Sequence, residues 1–176
     1  INPGTDGALA MAIANVIISE RLYDADFTRD WTKGFGEYKE LALSYYSPET
    51  VSAVTGINAD LIRQIAREFA QTKPAIAWRG RGATSWPNGS STSYAIFCLN
   101  ALVGSIDVPG GVIYQEKPSY KDMPKPVEDA VAKEGKTQPR LDFRKTSLFP
   151  AAEVVTNHVA DSISNDSPYP VEVAIG

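Results

Sequence analysis

The stretch AIAWRGRGATSWPNGSSTSYAIFCLNALV (residues 75–103) decides the fold of this chain. Its first part, Ala75–Trp78, is short and apolar and follows a helical pattern, so it predicts a buried parallel strand. A glycine-rich loop at residues 79–91 comes next, and Thr92–Val103 has the apolar spacing of a long helix. A strand, a glycine-rich loop and a helix in this order are half of a doubly wound nucleotide-binding unit. The chain is therefore predicted to belong to the α/β class.

Apolar stripes at helical spacing predict two more long helices upstream, at residues 8–22 and 59–71. Between them, Tyr23–Tyr46 is aromatic-rich and interrupted by glycines, which indicates short helical turns. A shorter helix is predicted from Ser47-Pro48-Glu49 to Gly56, because a capping hydroxyl, a first-turn proline and an acid mark its start.

Downstream, residues 116–145 carry prolines among alternating charges and few large apolar side chains. This composition predicts a long irregular or partly disordered insertion. An amphipathic helix is expected at 150–163, and Val171–Ile175 is expected to begin a second buried strand beside Ala75–Trp78. The expected fold is a three-layer Rossmann-like fragment with parallel strands. Residues 1–115 would form part of a dinucleotide-binding domain, 116–149 an insertion, and 150–176 a helix followed by the next strand.

Composition excludes several functional classes. The chain has 176 residues and a net charge of −4, so no basic stripe is available to bind nucleic acid. No apolar run is long enough to insert into a membrane. With one cysteine, Cys98, and one histidine, His158, the chain cannot form an internal disulfide or a thiolate-only or histidine-rich metal site. We interpret both residues as structural.

The block Gly4-Thr5-Asp6-Gly7 precedes the first predicted helix. A carboxylate fixed there can accept both N1–H and N2–H2 of a guanine, and glycines allow a flat base to approach the backbone. The alternative is that Asp6 only caps its own helix, since Asp is strongly preferred at that position.

A series of short motifs carries a resemblance to a known family. In order, they are PGTDGAL (3–9), WTKGF (31–35), YSPE (46–49), IRQIARE (62–68), LNALVG (99–104) and DVPGG (107–111). Over roughly the first 112 residues this series resembles the catalytic subunits of bis-molybdopterin oxidoreductases, the dimethyl sulfoxide reductase superfamily. The match fades beyond Val112 and returns faintly at residues 169–173.

The resemblance implies that the chain is an internal piece of a larger enzyme, inactive alone, with no catalytic and no metal-ligating residue of its own. Gly4, Thr5 and Asp6 would hold the guanine end of molybdenum bis(molybdopterin guanine dinucleotide). The glycine-rich loop would supply donors to pterin or phosphate oxygens from Gly80, Arg81, Thr84 and Ser85. The alternative for the loop is an exposed segment whose arginines pair with surface acids and whose Trp86 packs on the sheet.

The same resemblance also implies the other parts of the larger enzyme, which we call the parent. An iron–sulfur cluster, the molybdenum ligand and a second dinucleotide-binding domain would lie outside this chain. The parent would carry out two-electron chemistry on a small sulfur compound or other oxyanion, nearest the polysulfide, thiosulfate and tetrathionate reductase branch. Its partners would be the remainder of its own subunit, an iron–sulfur electron-transfer subunit and a membrane anchor, on the outer face of a bacterial cytoplasmic membrane.

Two other classes stay open at the level of sequence. One is a free-standing nucleotide-binding α/β enzyme, which would require a better phosphate loop than G-x-G. The other is a non-catalytic α/β interaction module that docks through the charged residues 116–145.

Overall fold

The computed structural model describes residues 1–116, 118–142 and 156–173. The chain divides into two compact units, Ile1–Lys117 and Pro118–Gly176. In order, the helices of the first unit are α1 (Asp6–Ser19), α2 (Ala25–Trp31), α3 (Phe35–Tyr45), α4 (Pro48–Thr55), α5 (Ala59–Gln71), α6 (Arg81–Thr84) and α7 (Gly89–Leu102). The three long predicted helices correspond to α1, α5 and α7.

Helix α1 is the centre of the first unit. Its residues from Ala10 to Ile18 are all buried, and it packs against α3, α4, α5 and α7. A helix that is apolar on every side has to be enclosed by its neighbours. The polar exception is Asn15, whose Nδ2 donates a hydrogen bond to the carbonyl oxygen of Ala42 at 3.0 Å.

Helices α1 and α7 run parallel. Gly7 in the first turn of α1 lies against Thr92 in the first turn of α7. Just beyond the other end of α1, the N–H of Asp24 donates to the carbonyl of Leu102 at 2.7 Å. The N-terminal ends of both helices therefore lie side by side.

The predicted start of α4 is confirmed in detail. Ser47 precedes the helix and its hydroxyl accepts a hydrogen bond from the N–H of Thr50 at 3.2 Å, while Pro48 occupies the first turn. The side chain of Asn58 caps α5 in the same way, by accepting from the N–H of Asp60 at 2.8 Å. These caps provide acceptors for first-turn N–H groups that have no partner within the helix.

The predicted strand Ala75–Trp78 is not paired with another strand in the described part of the chain. Instead the side chain of Asn100 binds both backbone polar groups of Ala77, its Oδ1 accepting from the N–H at 2.8 Å and its Nδ2 donating to the carbonyl at 2.9 Å. Within the described ranges, β pairing is limited to an isolated parallel bridge between Ile106 and Val112. Of Val171–Ile175, residues 171–173 form no strand and the last two lie outside the described residues. The doubly wound parallel sheet stays a prediction.

The second unit contains α8 (Ala130–Gly135) and α9 (Asn157–Ser164). Helix α8 lies inside the stretch predicted to be irregular, so that prediction is wrong for these six residues. The reason is a local cap, since Asp129 Oδ1 accepts a hydrogen bond from the N–H of Ala132 at 2.8 Å. Helix α9 is the described portion of the helix predicted at 150–163, whose residues 150–155 lie outside the described ranges.

No helix in the portions that the structure describes has the length and apolarity needed to cross a membrane.

Candidate functional site

The turn that precedes α1 is tied to the end of α4. Asn2 donates twice, from its backbone N–H to the carbonyl of Thr55 and from Nδ2 to the carbonyl of Val54, both at 2.9 Å. Its own carbonyl accepts from the hydroxyl of Thr5 at 2.7 Å. These bonds give the predicted guanine-binding turn a fixed position relative to α4.

Gly4 is where this turn meets the loop before α7. Its φ of +79° lies in the left-handed region, and a Cβ there would lie 3.2 Å from Cδ2 of Trp86. On the same side, Nδ2 of Asn88 donates to the carbonyl oxygen of Gly4 at 3.1 Å. Trp86 therefore packs on the Gly4 turn, and the two regions of the chain predicted to bind cofactor are in contact through Trp86 and Asn88.

Asp6 does not cap α1. Thr5 occupies the N-cap position without a side-chain cap bond, its hydroxyl donates to the carbonyl of Asn2, and Asp6 is the first helical residue. The expectation that Asp6 is the N-cap is therefore wrong by one residue. The half-buried carboxylate of Asp6 makes no hydrogen bond or ion pair with any described residue. It is available to a ligand.

Two sets of free backbone N–H groups lie in the first turns of α1 and α7, which contact each other at Gly7 and Thr92. The N–H groups of Asp6, Gly7 and Ala8 precede the first intrahelical bond of α1, which Leu9 makes to Thr5. In α7 the N–H groups of Ser90 and Ser91 are likewise without an acceptor among the described residues, and Asn88 provides no side-chain cap. Because the helices are parallel, the partial positive charges of both N-termini combine, which favours an anion nearby.

The glycine-rich loop is organised around α6. Gly80 precedes this helix and Arg81 is its first residue. Both predicted hydroxyl donors are used locally, since Ser85 Oγ donates to the carbonyl of Arg81 at 2.7 Å and Thr84 Oγ1 donates to it at 3.2 Å. Arg79 and Arg81 are exposed and form no ion pair with described residues, so the loop arginines do not pair with surface acids there.

Two cavities adjoin these groups. The first, which we call the Tyr38 cavity, is about 560 Å³ and lies between α1, α3 and α7; it is lined by residues that include Gly4, Thr5, Gly7, Tyr38, Tyr94 and Cys98. The second, the Arg79 cavity, is about 410 Å³ and lies at the start of α7, between Arg79, Thr84, Gly89, Ser90 and Ser93. Of the predicted site residues, Gly4 and Thr5 line the first cavity and Thr84 lines the second. Asp6, Gly80, Arg81 and Ser85 line neither.

Tyr38 was not singled out from the sequence. The residue lines the first cavity, and its hydroxyl oxygen is buried and has no hydrogen-bond partner in the described structure. Burial, followed by the nearby charge of a Cys98 thiolate, raises the pKa of Tyr38 well above its usual range. Burial also raises the pKa of the half-buried Cys98 thiol, so neither group is an activated nucleophile. Only the aromatic composition of α3 could have pointed to Tyr38.

The described residues contain no group of three or more His, Cys, Asp or Glu side chains that could hold a metal ion. Within those residues, the potential ligand-binding groups are thus a free carboxylate, free N–H groups, unpaired arginines and an unpaired phenol.

Comparison with known proteins adds a family context. No protein-family model matches the chain. It is 35% identical to the molybdopterin-containing subunit of arsenate respiratory reductase from Chrysiogenes arsenatis, over 100% of this chain and 24% of that protein. It is 31% identical to the molybdopterin-containing subunit of thiosulfate reductase from Salmonella typhimurium, over 99% of this chain and 24% of that protein. The chain therefore spans about a quarter of the length of these relatives.

A solved structure, acetylene hydratase from Pelobacter acetylenicus, also matches the chain. The identity is 40%, the TM-score is 0.55, and the match covers 59% of this chain and 14% of that protein.

Proposed function

This chain belongs to the dimethyl sulfoxide reductase superfamily of molybdopterin-containing oxidoreductases, and we propose that it holds the guanine dinucleotide end of their molybdenum–pterin cofactor. The observation that carries the proposal is the carboxylate of Asp6, which neither caps α1 nor pairs with a cation among the described residues. Asp6 is partly exposed and its carboxylate bonds to no described residue, so both oxygens can accept hydrogen bonds from donors that a ligand supplies. Guanine supplies two, N1–H and N2–H2, in the geometry that a carboxylate accepts.

The surrounding groups fit the remainder of a dinucleotide. Glycine at position 4 allows the Trp86 ring to pack against the backbone of the turn, and Trp86, which is 45% exposed, would give a flat base one aromatic neighbour. For the phosphates, the Arg79 cavity combines an unpaired guanidinium with the free N–H of Ser90 at the start of α7. When bound, the cofactor would supply the redox chemistry at molybdenum, while the residues of this chain bind it and fix its orientation.

We further propose that the complete subunit is a two-electron reductase of a small oxyanion. The arsenate and thiosulfate reductase subunits align with 99–100% of the chain. Formate dehydrogenase H and the dimethyl sulfoxide reductases of Escherichia coli align with only 60–68% of it. This difference in coverage favours the oxyanion branch, in agreement with the preference for thiosulfate and related substrates that the sequence suggests.

Several relatives are named as subunits of larger reductases, which supports a multi-subunit parent. Its partners would be the remainder of the catalytic subunit, an iron–sulfur electron-transfer subunit and a membrane anchor. The iron–sulfur cluster would be bound outside this chain. A free-standing nucleotide-binding enzyme or an interaction module has no comparable support.

The test is substitution of Asp6 by Asn and by Ala in the complete catalytic subunit. Asp6→Asn places an amide donor opposite the N–H groups of guanine, and this should cost about 2–4 kcal/mol of cofactor binding. Molybdenum content should fall in both variants, while the melting temperature of the apoprotein should change little because Asp6 makes no bond to described residues.

The matched control is Asp60→Asn, which removes the same charge from the first turn of α5. It should leave molybdenum content unchanged. Full molybdenum occupancy in Asp6→Asn would refute a role for Asp6 in holding the cofactor.

A further inference from the structure

The segment that follows the Ile106–Val112 bridge, residues 113–127, exposes an unusual number of apolar side chains. Its described residues, which are all but Lys117, are exposed and form neither helix nor strand. They make no hydrogen bond or ion pair with other described residues. Five of its side chains are large, apolar and between 66% and 100% exposed: Ile113, Tyr114, Tyr120, Met123 and Val127. Apolar side chains exposed together in this way indicate a contact surface.

Three prolines decide which backbone conformation this segment favours. Pro118, Pro124 and Pro126 fix their own φ angles, and the residue before each of them is restricted to extended conformations. Since proline has no N–H group, the segment cannot add a continuous strand to the edge of a sheet. A polyproline II helix needs no backbone hydrogen bonds, and none joins the described residues of the segment. We therefore expect the segment to make contacts as a polyproline II helix, through its side chains.

The sequence of the segment is amphipathic with the period of that helix. Polyproline II has three residues per turn, so every third residue lies on the same face. One face, which we call the aromatic face, is apolar apart from one lysine and consists of Tyr114, Lys117, Tyr120, Met123 and Pro126. Another face is entirely polar and consists of Glu116, Ser119, Asp122 and Lys125. Val127 lies on the remaining face. The aromatic face is therefore the one suited to be covered.

We propose that the aromatic face docks in an aromatic-lined groove on the part of the catalytic subunit that lies outside this chain. Grooves of that kind bind proline-rich segments, because a polyproline II helix is already ordered before it docks. The chain spans 24% of the length of the arsenate and thiosulfate reductase subunits, so most of the same polypeptide is available to cover it. The covalent connection also gives that polypeptide a high effective concentration. The proposal goes beyond cofactor binding and does not depend on Asp6.

Photo-crosslinking in the complete catalytic subunit, purified together with the subunits that accompany it, identifies what covers the aromatic face. A photoreactive benzoylphenylalanine is placed at position 120, on the aromatic face, or at position 127, on another face, as the matched control. From position 120 the crosslink should reach residues of the same subunit outside this chain, and position 127 should give a lower yield. A crosslink from position 120 to another subunit, to a second copy or to residues 1–176 would overturn the proposal, and so would equal yields from both positions.

Limited digestion of the complete subunit with trypsin measures how firmly the segment is held. Two of the three lysines in the segment precede prolines, and trypsin does not cleave such bonds, which leaves Lys121–Asp122 as the cleavable bond. The variant is Tyr114→Ser, which removes an aromatic side chain from the aromatic face. The matched control is Val127→Ser, which removes an exposed apolar side chain from another face. Both substitutions lie at least six residues from Lys121, so neither changes the sequence next to the cleaved bond.

Tyr114→Ser should speed cleavage at Lys121–Asp122 by about tenfold, because cleavage follows the population of released segment and burial of one tyrosine shifts that population by about this factor. Val127→Ser should leave the rate unchanged. If Tyr114→Ser is cleaved no faster than the unsubstituted subunit, the aromatic face is not docked and the proposal fails. Molybdenum content in Asp6→Asn is a separate measurement, so full occupancy there would refute the proposed role of Asp6 and leave the docking of the segment standing.

Discussion

Replacing Asn100 should detach the segment that leads into the glycine-rich loop. Asn100 is completely buried, and its amide makes two hydrogen bonds to the backbone of Ala77, at 2.8 and 2.9 Å. Three residues after Ala77 the chain reaches Gly80, which immediately precedes α6. The position of the Arg79 cavity therefore depends on a side chain of α7.

The loss of stability expected from replacing Asn100 follows from these two hydrogen bonds. Each contributes about 0.5–1.5 kcal/mol to stability, and half-buried Ala77 is left with an N–H and a carbonyl that have lost their partner. Asn100→Leu keeps the branching of the side chain, although Leu is larger, and the loss of both hydrogen bonds should lower the free energy of unfolding by about 2–4 kcal/mol.

Asn15→Leu is the comparison, because Asn15 is also buried and donates to the carbonyl of Ala42. That carbonyl also accepts from the N–H of Tyr46 at 3.2 Å, so it keeps a partner when Asn15 is replaced. The cost of Asn15→Leu from hydrogen bonding should stay below about 1.5 kcal/mol.

Urea unfolding followed by tryptophan fluorescence measures both free energies, and hydrogen exchange of the Ala77 amide reports the local effect. In Asn100→Leu that amide should exchange faster than the amides of α5. If Asn100→Leu costs no more than Asn15→Leu and the Ala77 amide keeps its protection, the side chain of Asn100 does not hold the segment.

The helices could be predicted because their determinants are local. Helix α5 has the predicted bounds, since the Asn58 cap and a stripe of apolar residues mark both its start and its inward face. Helix α7 begins three residues before the predicted Thr92, because Asn88 and Gly89 were interpreted as part of the loop. Such shifts of a few residues are expected where the cap is not made by a side chain.

The environment of Ala75–Trp78 could not be predicted from local pattern. A short apolar run has the same composition whether a neighbouring strand or a side chain satisfies its backbone. Here Asn100, 23 residues further along the chain, takes the partner's place at Ala77. No periodicity in the sequence encodes that contact.

The candidate site shows the same difference between features that local sequence predicts and features that depend on the packing of distant residues. Asp6 was singled out through the family resemblance, but the position of the helix start at Asp6, with Thr5 as the N-cap residue, is a detail that the sequence does not reveal. Arg79 and Tyr38 came to attention only from the folded structure, because a cavity wall and an unpaired hydroxyl are properties of helices packed together.

Two further predictions concern the packing around the site. Gly7→Ala should destabilise the chain by about 1–3 kcal/mol, since the new Cβ would lie 2.8 Å from Thr92 Oγ1. In the control Gly36→Ala the new Cβ meets nothing within 4 Å, so this variant should stabilise α3 by up to about 1 kcal/mol. Urea unfolding measures both changes, and equal effects of the two substitutions would exclude close α1–α7 contact as the cause. The second concerns Glu20, whose pKa is lowered from 4.5 by hydrogen bonds from Arg67. A lowered pKa stabilises the folded state above the unfolded value and loses that contribution as pH falls through the folded value. Glu20→Gln should therefore cost under about 1 kcal/mol at pH 7 and nothing well below pH 4.5, measured as unfolding free energy across that range. A cost that does not change with pH would show that the side chain acts through packing and not through its charge.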